Sequence, residues 1–464
     1  MPLGAETAAR LDSLVTTDGP VLVGLSGGAD SRTLLILAAR WARMTGRDVH
    51  ALVADHALRR ESAAEAARAA AMAEADGIPV RIVRRTGPAP ETGLQAAARQ
   101  FRLKALADEA RRVGARIIVL GHTADDRAEN LWMRLTAGGG LSGLSGMRPA
   151  SPHPLWPEGH GLTLVRPLID QTRAGIRRWL QSQRHDWIDD PSNADRRFTR
   201  VRVRQTLTGL AARGVDTARL SRLADPLARI DDERSEAAGH AFHRGIALMP
   251  WGGARIDTDA LAALTGTIRP KVIAAAIAAV SGIPLPAAKA VQAISTALAS
   301  GSAASGGGAA LTHWRGGTWL VREPGRSLPK SVTLQAGADV TWDGRWQCEA
   351  SGTGLEIAPL GRDYRGYAHS DRLGDVPGMA RSTLVALRNG GTVLAVAGLN
   401  AVPGVTMTPL HERLAERTLF AGIAPAWFDR IETQSPCDDG ARNMECEPPY
   451  QAGSTLEPLR NWRT

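Results

Sequence analysis

Residues 21–31, which read V-L-V-G-L-S-G-G-A-D-S, constrain the fold more than any other stretch of the chain. They open with an apolar run, 21–25, that has the length of one buried strand, and the serine and glycines at 26–28 end that run. A helical pattern then begins near Ser31 and continues through Trp41. The sequence therefore predicts a strand, a tight glycine turn and a helix.

The turn has the composition of a phosphate site. Glycine lets the backbone approach a ligand closely, and a helix N-terminus directs unpaired N–H groups and the positive end of its dipole at one point. Ser26 and Ser31 add hydroxyl donors, and Asp30 offers a carboxylate to a divalent ion bound to those phosphates. The stretch lacks the lysine of a Walker loop and the G-x-G-x-x-G of a dinucleotide site. A strand-to-helix turn without a ligand is the plainer alternative.

Composition sets wide bounds. The chain has 464 residues, enough for two or three domains, and its formal net charge is +9. A basic balance favours a polyanionic partner such as nucleic acid. The signal is weak, because nearly all basic residues are arginine and a compositional bias of the genome would give the same excess.

Cysteine usage and hydropathy indicate the compartment. Cys348, Cys437 and Cys446 form no C-x-x-C, so they predict neither a disulfide framework nor a zinc knuckle, and a reducing environment fits them. The first residues lack the basic and apolar regions of a secretory signal, and the longest apolar run, 272–280, is too short to span a bilayer. We therefore expect a soluble cytoplasmic protein with no membrane partner.

Apolar runs and helical patterns alternate along the first 120 residues. After the first strand and helix, apolar runs lie at 49–54, 80–83 and 117–120, and helical patterns lie between them at 63–75 and 93–112. Strands that alternate with helices of this length predict an α/β fold with a doubly wound parallel sheet. Ligands of such sheets bind beyond the carboxyl ends of the strands.

Two of these strand ends carry polar residues. The second strand is followed by A-D-H-A-L-R-R-E-S, which contains Asp55 and His56, and the fourth is followed by G-H-T-A-D-D-R-A-E-N. In the latter, Thr123 is placed to cap a helix, with Asp126 three residues on as in a capping box. Helical spacing puts three polar residues along one face: His122, either Asp125 or Asp126, and Glu129. Helix stability alone accounts for the two aspartates, but not for the histidine or the glutamate.

Five motifs occur in a fixed order along the chain. They are S-G-G-A-D-S, D-H-A-L-R-R-E-S, Q-x-x-A-R-x-x-R at 95–102, G-H-x-x-D-D-x-x-E, and G-L-S-G-L-S-G-M at 140–147. Three later segments continue the series: V-R-P-L-I at 165–169, W-I-D-D-P-S-N at 187–193 and R-V-R-V-R at 200–204. Together the motifs resemble the tRNA(Ile)-lysidine synthetase family, N-type ATP pyrophosphatases of the PP-loop superfamily, over about residues 20–205.

The resemblance implies a reaction and its cofactors. Free L-lysine would be joined to C2 of the wobble cytidine of a tRNA(Ile) with a CAU anticodon, so that the tRNA reads AUA as isoleucine. The glycine loop would grip the pyrophosphate that leaves as AMP is transferred to the pyrimidine oxygen. The lysine ε-amine would then displace AMP. ATP and Mg²⁺ are the implied cofactors, and a homodimer is left open.

The resemblance also assigns residues to these roles. The catalytic set it implies is Asp30, which would also be the metal ligand, with Asp126, Glu129 and Arg200. The nucleotide would be bound by the loop and the second strand end, at Ser26, Gly27, Gly28, Ala29, Asp30, Ser31, Asp55 and His56. Lysine or tRNA would contact His122, Asp125, Asp126, Glu129, Arg200 and Arg204. A solvated basic face is the plainer interpretation of the two arginines.

Five positions depart from the family pattern: Ala57 replaces a glycine, Gln95 a glutamate, Arg127 a glutamine, Asn130 a threonine and Val201 an asparagine. Arg127 would bring a positive charge beside the carboxylates, where it could tighten the acids or pair with them.

The sequence patterns divide the chain into three domains, over 1–205, over 206–325, which is mainly helical, and over 326–464, which is small and α/β or mainly β with a loose tail from Thr433. The resemblance implies that the first is the PP-loop catalytic domain and that the second binds tRNA. The glycines at 138–146 would form a flexible loop near the anticodon or, more plainly, a surface linker. Residues 301–310 would form a Gly/Ser/Ala linker or loop. Four C-terminal tryptophans favour core positions over base stacking: Trp314, Trp319, Trp342 and Trp346.

Three other functions compete with this interpretation. A tRNA thiolase of the same loop family needs a sulfur-carrying cysteine, and all three cysteines lie outside the predicted catalytic domain. A glutamine-fed synthetase needs a glutaminase domain with its own cysteine, and none precedes the loop. A nucleotide-gated RNA-binding module without catalysis would favour loss of the acids at 126 and 129, which are both present.

Overall fold

The structure is a computed structural model that describes residues 2–59, 61–87, 93–189, 199–325, 328–365, 367 and 372–420. The α-helices are α1 (Pro2–Leu14), α2 (Ala29–Thr45), α3 (Ser62–Ala75), α4 (Leu94–Val113), α5 (Ala124–Thr136), α6 (Leu141–Leu144), α7 (Arg173–Ser182), α8 (Thr199–Ala211), α9 (Thr217–Arg222), α10 (Ala224–Gly245), α11 (Thr258–Ala262), α12 (Arg269–Ser281), α13 (Ala288–Ser300) and α14 (His411–Leu419). The strands are β1 (Val21–Leu25), β2 (Val49–Asp55), β3 (Val80–Arg84), β4 (Ile117–Leu120), β5 (Ala150–Pro152), β6 (Thr163–Val165), β7 (Ile246–Leu248), β8 (Ala254–Ile256), β9 (Ala304–Gly306), β10 (Ala309–Trp314), β11 (Gly317–Arg322), β12 (Val332–Leu334), β13 (Asp339–Trp342), β14 (Trp346–Ala350), β15 (Leu355–Pro359), β16 (Val385–Asn389), β17 (Thr392–Val396) and β18 (Val405–Pro409).

The N-terminal part is built on a six-stranded sheet with the strand order β3-β2-β1-β4-β6-β5. The central strand β1 runs parallel to both neighbours, with Val21 opposite Val49 on β2 and Ile117 on β4. β5 joins β6 in the antiparallel sense and closes one edge. The predicted parallel α/β sheet is confirmed, and β5 and β6 are additions that the motif V-R-P-L-I did not reveal.

Helices cover both faces of this sheet, because the side chains of each strand point alternately to the two sides. Val21, Val23 and Leu25 pack with residues of α1, α2, α3 and α7 on one face. Leu22 points to the other face and packs with residues of α4. Full burial of such a side chain is worth about 1.5–3 kcal/mol, so both faces of β1 contribute to the stability of the core. The fold is therefore doubly wound, as the alternating pattern predicts.

Three antiparallel sheets make up the later part of the chain. Their strand orders are β7-β8-β11-β10-β9, β12-β15-β16-β17 and β13-β14-β18. The linker or loop predicted at 301–310 is wrong in part, because β9 and the start of β10 lie there and pair with each other, although residues 307–308 form the turn between them. Trp342 and Trp346 are buried in a shared core as expected, whereas Trp314 and Trp319 are half-buried.

The predicted boundary at 325 stays a prediction. A single apolar cluster brings Trp251 and Val321 together with Leu384 and Val396 from the following segment. The tail predicted from residue 433, with Cys437 and Cys446, lies outside the described residues. No helix in the described part of the chain is long and apolar enough to cross a membrane.

Candidate active site

The glycine turn between β1 and α2 forms the floor of the site. Gly27 has φ +79° and, were it given a Cβ, that atom would lie 2.6 Å from Ile188 Cδ1. A side chain at this position would be strained by the backbone conformation and would have to displace the end of the Ile188 side chain. Gly28 is the N-cap of α2 and has no side chain with which to cap the first amides of the helix.

The polar groups of this turn fit a phosphate chain. The Ser31 hydroxyl accepts from the Ser26 amide at 3.2 Å and donates to the Gly28 carbonyl at 3.1 Å, which holds the loop closed. Ser26 is exposed at the mouth of the turn, and its hydroxyl lies 3.0 Å from that of Ser31. The uncapped amides of a 17-residue helix and an exposed hydroxyl are the donors that an anion at a helix N-terminus requires.

Three predicted carboxylates gather beside the turn around an arginine that the sequence interpretation missed. Arg173, the first residue of α7, donates from Nη1 to Glu129 Oε1 at 2.6 Å and from Nη2 to Asp126 Oδ1. Its Nε lies 3.5 Å from Asp30 Oδ2 on α2. We call Asp30, Asp126 and Glu129 the acid cluster.

The start of α7 explains how Arg173 reaches the acid cluster. Thr172 caps the helix by accepting from the Gly175 amide at 3.1 Å, and Asp125 Oδ2 accepts from the Arg173 amide at 2.8 Å. These contacts fix the backbone of α7 against α5 and leave the side chain free to turn inward. A basic residue in a first helical turn opposes the helix dipole, and that unfavourable placement was the local signal available in the sequence.

Burial and neighbouring charges shift the pKa values of Asp30 and Asp126 in opposite directions. Burial raises the pKa of Asp30 to about 6, against the opposing effect of Arg173 and with further repulsion from Asp126 and Asp125. Burial also disfavours ionised Asp126, but Arg173 and the hydrogen bonds from Thr123 together hold its pKa below the ordinary value. The predicted capping box is confirmed, since the Thr123 amide donates to Asp126 Oδ2 at 2.9 Å and the Asp126 amide donates to the Thr123 hydroxyl at 3.4 Å.

Glu129 differs from both aspartates. Its side chain is 3% exposed, and Oε1 accepts from Arg173 and from Arg204 Nε at 3.0 Å. Oε2 is buried and has no hydrogen-bond partner among the described residues. An unpartnered buried carboxylate oxygen is costly unless a ligand supplies a donor. Glu129 is therefore the acid best placed to receive a ligand's proton or cation.

A basic group flanks the acid cluster on α4 and α8. Burial, together with the charges of Arg99 and Arg200, lowers the pKa of Arg102 to about 10. Burial and then Arg166 lower the pKa of His122 to about 3, so its imidazole is neutral near pH 7. Guanidinium groups that repel one another in this way favour an anionic ligand between them. Arg196, which shares a predicted helical face with Arg200 and Arg204, lies outside the described residues.

The turn after β2 is built differently from the glycine turn after β1. Asp55 is buried, accepts from the Ala57 amide at 2.9 Å and lies 3.4 Å from Arg84 Nε. The His56 ring packs edge-on against Phe101 at 5.7 Å between ring centres. Asp55 therefore shapes the turn after β2, and the assignment of Asp55 and His56 to the nucleotide stays a prediction.

Comparisons with known proteins agree with the motif order. A family model described as a PP-loop domain matches residues 5–210. The tRNA(Ile)-lysidine synthase of Caulobacter vibrioides is 37% identical over 355 residues, which cover 76% of this chain and 78% of that protein. The corresponding protein of Methylobacterium nodulans is 40% identical and covers 60% and 80%. That of Ruegeria pomeroyi is 32% identical and covers 81% of this chain and 91% of its own length.

This chain belongs to the tRNA(Ile)-lysidine synthase family. The structure shows the conformation or contacts of two residues that depart from the family pattern. Ala57, at a position where the pattern has glycine, adopts φ +52°, the left-handed region that glycine enters most easily. Arg127 is buried and forms ion pairs with Asp225 on α10 and, at 3.8 Å, with Asp170.

Arg127 therefore does not pair with the acid cluster, contrary to one of the outcomes expected from its position. It ties α5, which carries Asp126 and Glu129, to α10. The glycine segment after α5 is also more ordered than predicted for a flexible loop. It contains the short helix α6, and the Ser142 hydroxyl donates to Asp231 on α10 at 2.8 Å.

A Mg²⁺ ion at the acid cluster would need ligands besides the side chains of the protein. Among the described residues no group of three or more histidine, cysteine or acidic side chains could hold a metal ion. Nucleotide-bound Mg²⁺ in proteins takes one or two carboxylates and completes its shell with phosphate oxygens and water. Asp30, in the first turn of α2, fits that single-carboxylate role beside the phosphate donors.

Proposed function

We propose that this protein attaches L-lysine to C2 of the wobble cytidine of a CAU-anticodon tRNA(Ile), consuming ATP and releasing AMP and pyrophosphate. The observation that carries the proposal is the contact of Arg173 with both Asp30 and Glu129. Through this contact the glycine turn and the acid cluster belong to one site. Family membership supports the same reaction, because the relatives are named tRNA(Ile)-lysidine synthases.

The first step transfers AMP from ATP to the pyrimidine oxygen, which is otherwise a very poor leaving group. The amides at the start of α2 and the Ser26 hydroxyl bind the phosphate chain and orient it. Asp30 would hold Mg²⁺, which, when bound, neutralises charge on the departing pyrophosphate. The oxygen to be activated must then lie in line with the α-phosphate.

The second step needs an acceptor for the proton of the lysine ε-amine. Both oxygens of Asp126 are engaged, one by Arg173 and one by Thr123, and its pKa is held low. Glu129 Oε2 has no partner among the described residues, so it can bind the ε-ammonium and take its proton. We therefore assign the base to Glu129 and give Asp126 a positioning role.

The basic group supports a tRNA substrate. Arg200 and Arg102 are half-buried beside the acid cluster, and Arg99 is exposed next to them. Phosphate contacts fix the register of a nucleic acid, and an unstacked base can be read on its edges. We assign these arginines to the tRNA backbone near the wobble position. Action on tRNA also predicts a cytoplasmic protein, and a homodimer stays a prediction that light scattering would test.

The proposal is tested by transfer of labelled lysine. Purified protein with ATP, Mg²⁺, labelled L-lysine and a CAU-anticodon tRNA(Ile) transcript should place label in the tRNA. Omission of ATP should abolish the transfer. The matched control is the same transcript with uridine at the wobble position, which should remain unlabelled. Absence of label from the CAU transcript, with intact tRNA and folded protein, would refute the proposed activity.

A further inference from the structure

Arg173 already pairs with the carboxylate that the substrate's ammonium needs. Its guanidinium group bonds Glu129 Oε1 at 2.6 Å and Asp126 Oδ1, and its side chain is 22% exposed. Under the proposed function, the other oxygen of Glu129 binds the lysine ε-ammonium. Two cations in contact with one carboxylate repel each other, so full engagement of Arg173 weakens the binding of lysine.

The side chain of Arg173 has a second anionic position within reach. Its Nε is already 3.5 Å from Asp30 Oδ2, and Asp30 lies in the first turn of α2, where the phosphate donors converge. A guanidinium group binds phosphate through two parallel hydrogen bonds. The contact of Arg173 with Asp30, in which only Nε lies 3.5 Å from Oδ2, is not such a pair of hydrogen bonds. The α7 backbone is pinned by Asp125 and Thr172, so only the side chain has to move.

We propose that Arg173 is an internal stand-in for the lysine ammonium. When ATP binds, its phosphates attract the Arg173 guanidinium group away from Glu129 and Asp126, so that lysine binds well only after the nucleotide. The inference rests on the proposed function, because it assumes that lysine is the amine substrate. It makes Arg173 a positioning residue that sets the order of substrate binding. Before ATP arrives, the charge of Arg173 weakens the binding of free amines at Glu129.

The test is a calorimetric titration of L-lysine into the full-length protein, with and without Mg²⁺ and α,β-methylene-ATP, which cannot release AMP. We expect the analogue to tighten lysine binding to the wild type by about tenfold, within the usual range of coupling between two ligands. Arg173→Met, which keeps the length and removes the charge, should bind lysine without nucleotide as tightly as the wild type does with it. A purely structural role for Arg173 would not increase lysine affinity.

Arg177→Met is the matched control, because Arg177 lies on the same helix, is exposed and pairs with Asp189 at 3.2 Å away from the acid cluster. It should behave as the wild type. Lysine affinity of the wild type that does not respond to the analogue, or an Arg173→Met protein that binds lysine no better than the wild type, would overturn the inference.

The wild-type pair of titrations decides the matter even where Arg173→Met does not fold. A wild type that labels tRNA with lysine but shows no effect of the analogue refutes the stand-in role and leaves the proposed function intact. A wild type that neither binds lysine under any condition nor labels tRNA refutes both.

Discussion

Replacement of Asp30 by asparagine should reduce AMP formation at least about 100-fold, because the amide keeps the shape of the side chain but cannot neutralise charge with Mg²⁺ at the phosphates. The measurement is release of AMP from α-labelled ATP in the presence of tRNA and L-lysine. Asp108→Asn is the control, since Asp108 is exposed on α4 and pairs only with Lys104 among the described residues. A variant at Asp30 that forms AMP at the wild-type rate would contradict the assignment of this residue.

The same variant should not lose stability. The pKa of Asp30 is raised to about 6, above the unfolded value of 3.8, so ionisation of the folded protein costs free energy as pH rises through that window. Asparagine removes this cost. The melting temperature of Asp30→Asn should therefore equal or exceed that of the wild type above pH 6, and the difference should vanish near pH 4. Loss of activity without loss of stability separates a catalytic role from a structural one.

Replacement of Glu129 by glutamine should slow lysine attachment by about 100-fold or more while adenylation of the tRNA continues. Glutamine retains an oxygen for Arg173 and Arg204, but the group at the unpartnered Oε2 position can no longer accept a proton. The two steps are measured separately, as release of pyrophosphate and as incorporation of labelled lysine. Glu74→Gln, an exposed change on α3, is the control.

The pH dependence distinguishes a base from a simple contact. A free lysine ε-amine has a pKa near 10.4, so the fraction of neutral amine rises about tenfold for each pH unit below that value. The rate of the Glu129→Gln variant should therefore recover as pH rises from 7 to 9, relative to the wild type. Equal losses in both steps, with no recovery at high pH, would assign Glu129 to folding of the site.

The parts of the site that depend on short-range sequence patterns were predicted. The strand, turn and helix of residues 21–45, and the capping box of Thr123 and Asp126, follow from periodicity and from residues at most five positions apart. Helical spacing also put Asp126 and Glu129 on one face. Local physical chemistry is sufficient for such features, because the interacting groups belong to the same element.

Features that depend on distant contacts were not predicted. Arg173 meets Asp126 and Glu129 from 47 and 44 residues away, and Arg127 meets Asp225 from 98 residues away. Residues 304–306 have the composition of a linker, yet β9 forms because β10 offers it a partner. In each case tertiary pairing overrides a weak local preference.

The most direct test of the central claim is to look for the activated tRNA itself. The protein is incubated with Mg²⁺, ATP labelled at the α-phosphate and CAU-anticodon tRNA(Ile), first without lysine and then with it. We predict that the label joins the tRNA at the wobble cytidine and leaves as AMP when lysine is added. Cleavage of ATP to ADP, or a tRNA that never carries the label, would contradict it.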